Sequence, residues 1–304
     1  MVEKPLLIVI TGPTGIGKSA AAIRVARHFG TEIISADSRQ IYRGLEITTA
    51  APTAEELSEV RHHLVGTLGL ENYYSASRFE HDALAILEDI FQRRRVAVVC
   101  GGSQMYIDAL CKGIDEIPDI SEEVRNSVGA VYQYEGWEKV LKHLQTQDPE
   151  YYEKVNHNDI RRVTHALEVC WETGSTYTSF CRGEHKERPF RIMKFVLMAP
   201  REVIFERINR RVEKMAREGL VEEVRTVAHL RQLNSLNTVG VKEILRYLDG
   251  EWSLPEALSR LARNTRVYAK KQLTWLARDS DATRIDITLS DPASYIIRAV
   301  EISG

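Results

Sequence analysis

LLIVITGPTGIGKSAAAIRVARHF, residues 6–29, changes character twice along its length. The apolar run Leu6 to Ile10 has the composition of a buried strand. It passes into Gly12-Pro13-Thr14-Gly15-Ile16-Gly17-Lys18-Ser19, and an alanine-rich helical pattern then continues to Phe29. Strand, glycine-rich loop and helix in this order form a phosphate loop. The glycines let backbone amides turn around anionic oxygens, the helix start adds positive potential, Lys18 brings a mobile charge, and Ser19 can ligate Mg²⁺. A phosphate or diphosphate is therefore expected on residues 12–19. Kinases, NTPases and some transferases share such a loop, so the loop alone does not choose among them.

A second apolar run, Glu32 to Ala36, ends in Asp37-Ser38-Arg39-Gln40-Ile41-Tyr42. If both runs are parallel strands of one sheet, Asp37 emerges at the same carboxyl edge as the phosphate loop. It can serve there as a general base, or as a turn or Mg²⁺-shell aspartate. A third run, Val96 to Val99, leads into Cys100-Gly101-Gly102-Ser103 rather than into the aspartate that positions Mg²⁺ in phosphate-loop NTPases, which weighs against an ATPase. Ser103 offers a hydroxyl to a substrate or caps the next helix.

The chain's 304 residues, 43% hydrophobic, suit one large or two small domains with a sizeable core. A net charge of −2 gives no global pull toward nucleic acid, so any such site must be a local basic surface. Lys and Arg outnumber Asp and Glu between Arg201 and Arg278. Four cysteines, Cys100, Cys111, Cys170 and Cys181, lack the spacing of a zinc site or disulfide framework, and reduced, mostly buried thiols are expected. No stretch is long enough to span a bilayer, and a cytoplasmic location is expected.

The segment Arg43–Pro52 reads as a loop with a short extended piece. A helix follows from Thr53 to Val60, and His62-His63-Leu64 reads as loop, its histidines more suited to structural hydrogen bonds than to a shared metal. Ser77–Arg94 has amphipathic helical spacing. From Ser121 to Gly174 only helices are expected: 122–134, 137–147, a turn after Pro149, and 159–173. On the last of these, Arg161 and Arg162 can be solvated or meet phosphate. Met193–Met198 resumes the strands, and Glu202–Arg217 is a helix that places Arg207 and Arg211 on one face, where they can clamp a diphosphate. Further helices are expected at 220–233, 241–248 and 253–276, with an edge strand at 283–287. The last helix sets Arg263, Arg266, Lys270 and Lys271 beside Tyr268 and Trp275, as a nucleic-acid surface or a packed face with snorkelling cations. The fold class is thus α/β: a phosphate-loop NTPase-like core with a parallel sheet flanked by helices, residues 1–112 and 191–304, plus an inserted all-helical subdomain, residues 113–190.

These motifs resemble the tRNA dimethylallyltransferases, or tRNA isopentenyltransferases, over nearly the whole chain. The likeness is carried by GPTGIGKS from Gly12, ISADSRQIYRGLEITTAAP from Ile34, HHL from His62, GGSQMYIDAL from Gly101, NDIRRVTHALEV from Asn158, MAREGLVEEV from Met215, TVGVKE from Thr238 and TRVYAKKQLTW from Thr265. It implies transfer of a dimethylallyl group from dimethylallyl diphosphate to the exocyclic amine of the adenosine 3′ of a tRNA anticodon, with Mg²⁺ and release of diphosphate. The loop would hold the donor's diphosphate, so ATP hydrolysis is not expected. The resemblance implies Asp37 as general base and Ser103 as the residue orienting the base. Lys18, Mg²⁺ on Ser19, and Arg211 would stabilise the leaving group. It assigns tRNA contact to Asp37, Ser38, Arg39, Gln40, Ser103, Arg125 and the stretch Arg161, Arg162, Val163, Thr164, His165. A monomer is expected.

The sequence departs from the family pattern where Ser103 stands for threonine, Val241 for tyrosine, Gly66 for aspartate, His165 for arginine, and Ala277 for arginine. These departures bear on individual RNA contacts. A free-adenine-nucleotide isopentenyltransferase shares the core chemistry but not the arginine-bearing insertion, and a phosphate-loop kinase would need a Mg²⁺-positioning acid and lid arginines.

Overall fold

The computed structural model describes residues 4–183 and 185–303. These divide into two compact units, residues 1–112 with 187–304, and residues 113–186.

In chain order the first unit begins with β1 (Leu6–Thr11), α1 (Lys18–Phe29), β2 (Ile33–Ser35), α2 (Glu46–Thr49), α3 (Ala54–Glu59), β3 (His62–His63), α4 (Ala76–Arg93), β4 (Val96–Gly101) and α5 (Gln104–Lys112). The second unit holds α6 (Glu122–Ala130), α7 (Trp137–Gln147), α8 (Pro149–Lys154), α9 (Ile160–Thr173) and α10 (Tyr177–Phe180). The first unit resumes with β5 (Arg191–Met198), α11 (Arg201–Arg217), α12 (Leu220–Val227), α13 (Val241–Leu248), α14 (Leu254–Leu276), β6 (Thr283–Asp286) and α15 (Pro292–Ser303).

The sheet runs β3-β2-β4-β1-β5-β6, and every neighbouring pair is parallel. Parallel strands covered by helices on both faces read as unbroken apolar runs rather than alternating ones. Leu6 to Thr11 fits: every residue is buried. The fold places β1 in the centre, so the loops after β1, β2 and β4 leave the same sheet edge side by side. Ligands bind at that position in open α/β sheets.

Several local expectations are corrected. Residues 46–49 form a helical turn rather than an extended piece, because the Glu223 carboxylate accepts from Ile47 N and Thr48 N, both at 2.7 Å, and from Thr48 Oγ1 at 2.6 Å. Such a carboxylate satisfies the free amides at a helix start. His62–His63 is a short strand rather than a loop, paired with Ile33 and Ile34. Both histidines do have structural partners: His62 Nδ1 bonds the Val60 carbonyl at 2.8 Å, and His63 Nε2 bonds Glu32 at 2.7 Å. The helix expected over 220–233 ends at Val227 and passes into a 3₁₀ turn. The sequence pattern does not announce α15, whose Ala293, Ile296 and Val300 join the same core as Ala22, Val25 and Ala26 of α1. Cys100 and Cys170 are buried as expected, but Cys181 is exposed, and none of the four forms a disulfide.

The second unit has its own core of Val128, Val140, Leu144, Val163, Ala166 and Leu167. Helix α6 stops at Ala130, earlier than its spacing suggests, and gives way to a π turn over Val131–Glu135. Asp148, 1% exposed, accepts from Tyr151 N, Thr178 N and Thr178 Oγ1, so one buried carboxylate starts α8 and holds α10. Residues 187–190 belong to the first unit and not, as expected, to the insertion. Arg188 is buried there, donating to Glu80 at 2.6 Å and to the carbonyls of Ala109 and Leu110. Among the described residues no helix is long and apolar enough to cross a membrane.

Candidate active site

The phosphate loop spans the turn between β1 and α1. Gly17, at φ 99°, caps α1 in a left-handed conformation that disfavours side chains, and the helix begins at Lys18. Amides in the first turn of a helix lack intrahelical acceptors and make a site for anions. Lys18 Nζ donates to the Pro13 carbonyl at 3.0 Å, closing the loop on itself. The ammonium is crowded by protein, and this burial pulls its pKa down to about 8, against the opposing pull of Cys100 and Asp37; Arg211 lowers it further. Arg211 donates to Thr14 Oγ1 at 2.9 Å and to the Thr49 carbonyl at 3.4 Å. Burial also lowers the Arg211 pKa while Asp37 raises it. Two cations thus flank the cradle, each partly desolvated and, among the described residues, without a carboxylate in direct contact, a state that favours an incoming anion.

Beside the loop stands the Asp37 turn. Ala36 N donates to Cys100 O at 2.8 Å, and Ser103 N donates to Ala36 O at 3.1 Å, so the ends of β2 and β4 are stitched together. The approach is so close that a Cβ on Gly101 would lie 2.0 Å from the Ala36 oxygen. Ser103 Oγ accepts from Ser38 N at 2.9 Å, so its side chain secures the Asp37 turn, while its carbonyl accepts from Ile107 N at the start of α5. Asp37 Oδ1 accepts from Arg39 N at 2.9 Å and Gln40 N at 3.3 Å. The carboxylate is therefore a turn aspartate through one oxygen, and among the described residues no donor meets the other.

Both features open on one cavity of about 820 Å³, lined by Thr14, Gly17, Lys18, Ser19, Asp37, Arg211 and Gln272 together with apolar residues such as Ile33, Ala50 and Leu57. An adjoining cavity of about 300 Å³ shares Thr14, Asp37, Thr49, Arg211, Met215 and Tyr268 with it and extends to Ser38, Arg39 and Asn237. Pro13 and Ile16 shape the loop from behind: both are buried, and Arg207 donates to the Ile16 carbonyl at 2.9 Å. The expected guanidinium pair is thus split, since Arg211 lines the cavity and Arg207 does not. Arg39 donates to the carbonyls of Asn234, Ser235 and Asn237. Gln40 donates to those of Thr49 and Ala50. Both side chains brace neighbouring loops.

Among the described residues no three His, Cys, Asp or Glu side chains gather as a metal site. The cavity offers a divalent cation the Ser19 hydroxyl in the first turn of α1. One hydroxyl fits Mg²⁺ only where diphosphate oxygens and water complete its octahedron, which is the usual arrangement for that ion.

In the second unit Arg161 and Arg162 are exposed at the start of α9, and Arg162 Nε lies 3.4 Å from its N-cap Asp159. Thr164 donates to the Ile160 carbonyl at 2.8 Å. His165 lies 3.8 Å from Glu168 and edge-on to Tyr177. Arg125 donates to the Ile120 carbonyl. Val163 corrects the expected RNA-contact stretch: its side chain is fully buried in the unit's core.

Two residues of the site escape sequence reasoning. Gln272 is 5% exposed; its Oε1 accepts from Thr14 N at 2.9 Å and its Nε2 donates to Gly102 O at 2.9 Å, tying the phosphate loop to the Ser103 turn. The available signal is a glutamine on the apolar stripe Ala269, Gln272, Leu276 of a helix, a place where a polar side chain needs a buried partner. Glu223 similarly falls on the inward side of α12, between Leu220 and Val227.

The fold and site together define a phosphate-loop α/β protein whose anion cradle faces a carboxylate across a shared cleft. Residues 40–279 match the model of the IPP transferase family, and the chain belongs to that family. It is 52% identical over 277 residues to tRNA dimethylallyltransferase 1 of Bacteroides thetaiotaomicron, covering 91% of this chain and 90% of that protein. Against the crystal structure of a full-length tRNA isopentenylpyrophosphate transferase from Bacillus halodurans, the TM-score is 0.70 at 33% identity, covering 98% of this chain and 95% of that one. A eukaryotic dimethylallyltransferase captured acting on tRNA gives a TM-score of 0.80 at 25% identity, covering 98% and 77%.

Proposed function

We infer that this protein transfers a dimethylallyl group from dimethylallyl diphosphate to the exocyclic amine of the adenosine 3′-adjacent to a tRNA anticodon. The observation that carries this reading, beside family membership, is that the phosphate loop and Asp37 open on the same cavity. The amine's lone pair is delocalised into the purine, so its proton must leave as the new bond forms. In the step, N6 attacks the allylic carbon, the carbon–oxygen bond to diphosphate breaks, and the N6 proton passes to the free oxygen of Asp37. The turn donors on the other oxygen fix the carboxylate's direction. Charge gathers on the departing diphosphate, where Lys18, Arg211 and the first-turn amides of α1 stabilise it. Mg²⁺ held through Ser19 would add Lewis-acid stabilisation of the same oxygens. Ser103 keeps the Asp37 turn in register by accepting from Ser38 N. A target base must leave its stack to reach this cleft. The exposed Arg161 and Arg162 suit contacts to the RNA backbone.

The experiment is transfer of radiolabelled prenyl from dimethylallyl diphosphate with Mg²⁺, comparing unmodified tRNA carrying that adenosine with AMP and ATP. Label should enter the tRNA and neither nucleotide. Label in AMP but not tRNA would refute the assignment of substrate, and phosphorylation of any acceptor from ATP would indicate a kinase.

A further inference from the structure

Asn237 lies on the wall of the smaller cavity, together with Asp37, Ser38 and Thr265. Its backbone is fully engaged. Its N–H donates to Asn234 O at 3.1 Å, and its own carbonyl accepts from Arg39 at 3.5 Å. The same loop is pinned by Ser235 Oγ, which donates to Leu70 O at 2.7 Å. Its side chain is the exception. Asn237 Oδ1 is the one buried side-chain polar atom without a hydrogen-bond partner among the described residues.

An asparagine that only shapes a turn uses this oxygen to accept a nearby backbone N–H. Asn237 does not: it stands at the C-terminal end of a 3₁₀ turn, where carbonyls rather than amides are free, and the neighbouring amides of Leu236 and Thr238 bond other carbonyls. A buried acceptor left open in an otherwise satisfied structure calls for a partner that arrives later. The cavity's other groups indicate what that partner carries. Asp37 accepts, the Thr265 hydroxyl already donates to the Leu261 carbonyl, and Arg39 is committed to loop carbonyls. No described group of the cavity wall meets Asn237 Oδ1, which leaves that oxygen to a donor brought by the substrate. A carboxamide matches the adenine edge in both senses: its oxygen accepts from the exocyclic amine while its NH₂ donates to the adjacent ring nitrogen. The torsion that turns such an amide is broad and soft.

We propose that Asn237 is the residue that selects adenine, accepting the amine hydrogen that is retained while Asp37 takes the one that is lost. This rests on the transferase reading above and adds a specificity determinant to it. The arrangement divides the two hydrogens of one amine between two acceptors on the walls of the smaller cavity. Cytosine also carries an exocyclic amine beside a ring acceptor, but its single ring is too short to span from the amine edge to the same glycosidic position. Guanine presents a carbonyl where Asn237 Oδ1 needs a donor.

The test uses anticodon stem-loop RNAs with adenosine, 1-deazaadenosine or 7-deazaadenosine at the acceptor position, each given to the wild type, Asn237→Ala and Asn237→Asp. The wild type should lose roughly 10- to 100-fold in kcat/KM on whichever deaza analogue lacks the ring nitrogen that meets the amide, and little on the other. Asn237→Ala should lose a comparable factor on adenosine and nothing further on that analogue. Asn237→Asp keeps an acceptor but not the NH₂ donor, so it should also be insensitive to removal of the ring nitrogen. Pyrophosphate binding should be unchanged in both variants. If Asn237→Ala matches the wild type on adenosine, or falls equally on all three RNAs, Asn237 does not read the base. If the wild type fails to modify the adenosine RNA at all, the transferase reading falls and this assignment with it.

Discussion

Adding a single methyl at Gly101 should separate the two halves of the site. The position has an ordinary backbone conformation, so alanine brings no dihedral penalty, and the whole effect is steric. Its Cβ would lie 2.0 Å from Ala36 O and 2.7 Å from Ala36 Cα, whereas real Cβ atoms essentially never come within 3.0 Å of another heavy atom. Both partners are backbone in adjacent parallel strands, so the ends of β2 and β4 must part by at least 1.0 Å, the difference between 3.0 and 2.0. The bonds Ala36 N to Cys100 O and Ser103 N to Ala36 O lie directly in that gap. Overpacking of this kind costs about 1–3 kcal/mol. A displacement of ~1 Å at a reacting group lowers turnover about 100-fold. Gly101→Ala should therefore retain pyrophosphate affinity, because the cradle belongs to β1 and α1, while kcat for prenyl transfer to tRNA falls by about two orders of magnitude. Gly102→Ala is the comparison: its Cβ would meet Gln272 Nε2 at 2.6 Å and loosen that side chain's hold on Thr14 N, so it should weaken pyrophosphate affinity, the loss that Gly101→Ala avoids. Stopped-time transfer assays, calorimetric pyrophosphate binding and thermal unfolding separate the outcomes. Wild-type kcat in a folded Gly101→Ala protein would refute the view that the tight β2–β4 approach sets the position of Asp37.

Asp37→Asn should keep the turn, since its amide oxygen can still accept from Arg39 N, yet lower kcat by about 10²–10⁴-fold, read in single-turnover transfer. Lys18 titrates near pH 8 instead of the ordinary 10.5, so between those values the unfolded chain binds more protons and stability rises with pH. Lys18→Met should remove that rise in pH-dependent denaturation curves, and its advantage over the wild type should be largest below pH 8. At about pH 9 the wild type should take up a proton on binding pyrophosphate, and Lys18→Met should not, as calorimetry in buffers of differing ionisation enthalpy would reveal. Glu223→Ala removes the acceptor for three donors of α2, freeing the Thr49 carbonyl that Arg211 and Gln40 grip. Donor KM should rise about tenfold or more, with Glu223→Gln intermediate. Arg161→Ala with Arg162→Ala should weaken tRNA binding and flatten its log–log salt dependence by about 0.7–0.9 for each phosphate no longer neutralised, with AMP and pyrophosphate binding unaffected.

Much of the architecture is legible in the sequence itself. The runs at Leu6 and Val96 are continuous and apolar, and those at Ile33 and Met193 are broken only by Ser35 and Lys194, because a parallel sheet is buried on both faces; the glycine loop between the first run and its helix has few other uses. Tertiary interactions hide the rest. The turn at Glu46–Thr49 exists because a carboxylate 175 residues away satisfies its amides, and no local pattern records that. Arg207 and Arg211 share a helical face, but a single residue of the loop lies between their targets, Ile16 O and Thr14 Oγ1 being approached from different sides. Gln272 sits inside a recognisable motif that does not disclose its role, since helical periodicity identifies an inward position but not the backbone groups waiting there.

The helix that starts at Lys18 leans on partners made much later. Arg24 meets Asp291 across 267 residues and His28 meets Glu301 across 273, with Ala293, Ile296 and Val300 filling the space between. During synthesis the diphosphate cradle therefore emerges early, packs first on β1 and β4, and gains the outer support of its helix only when residues 292–303 leave the ribosome. A nascent chain arrested before that point would carry the whole signature sequence and still grip its anion poorly.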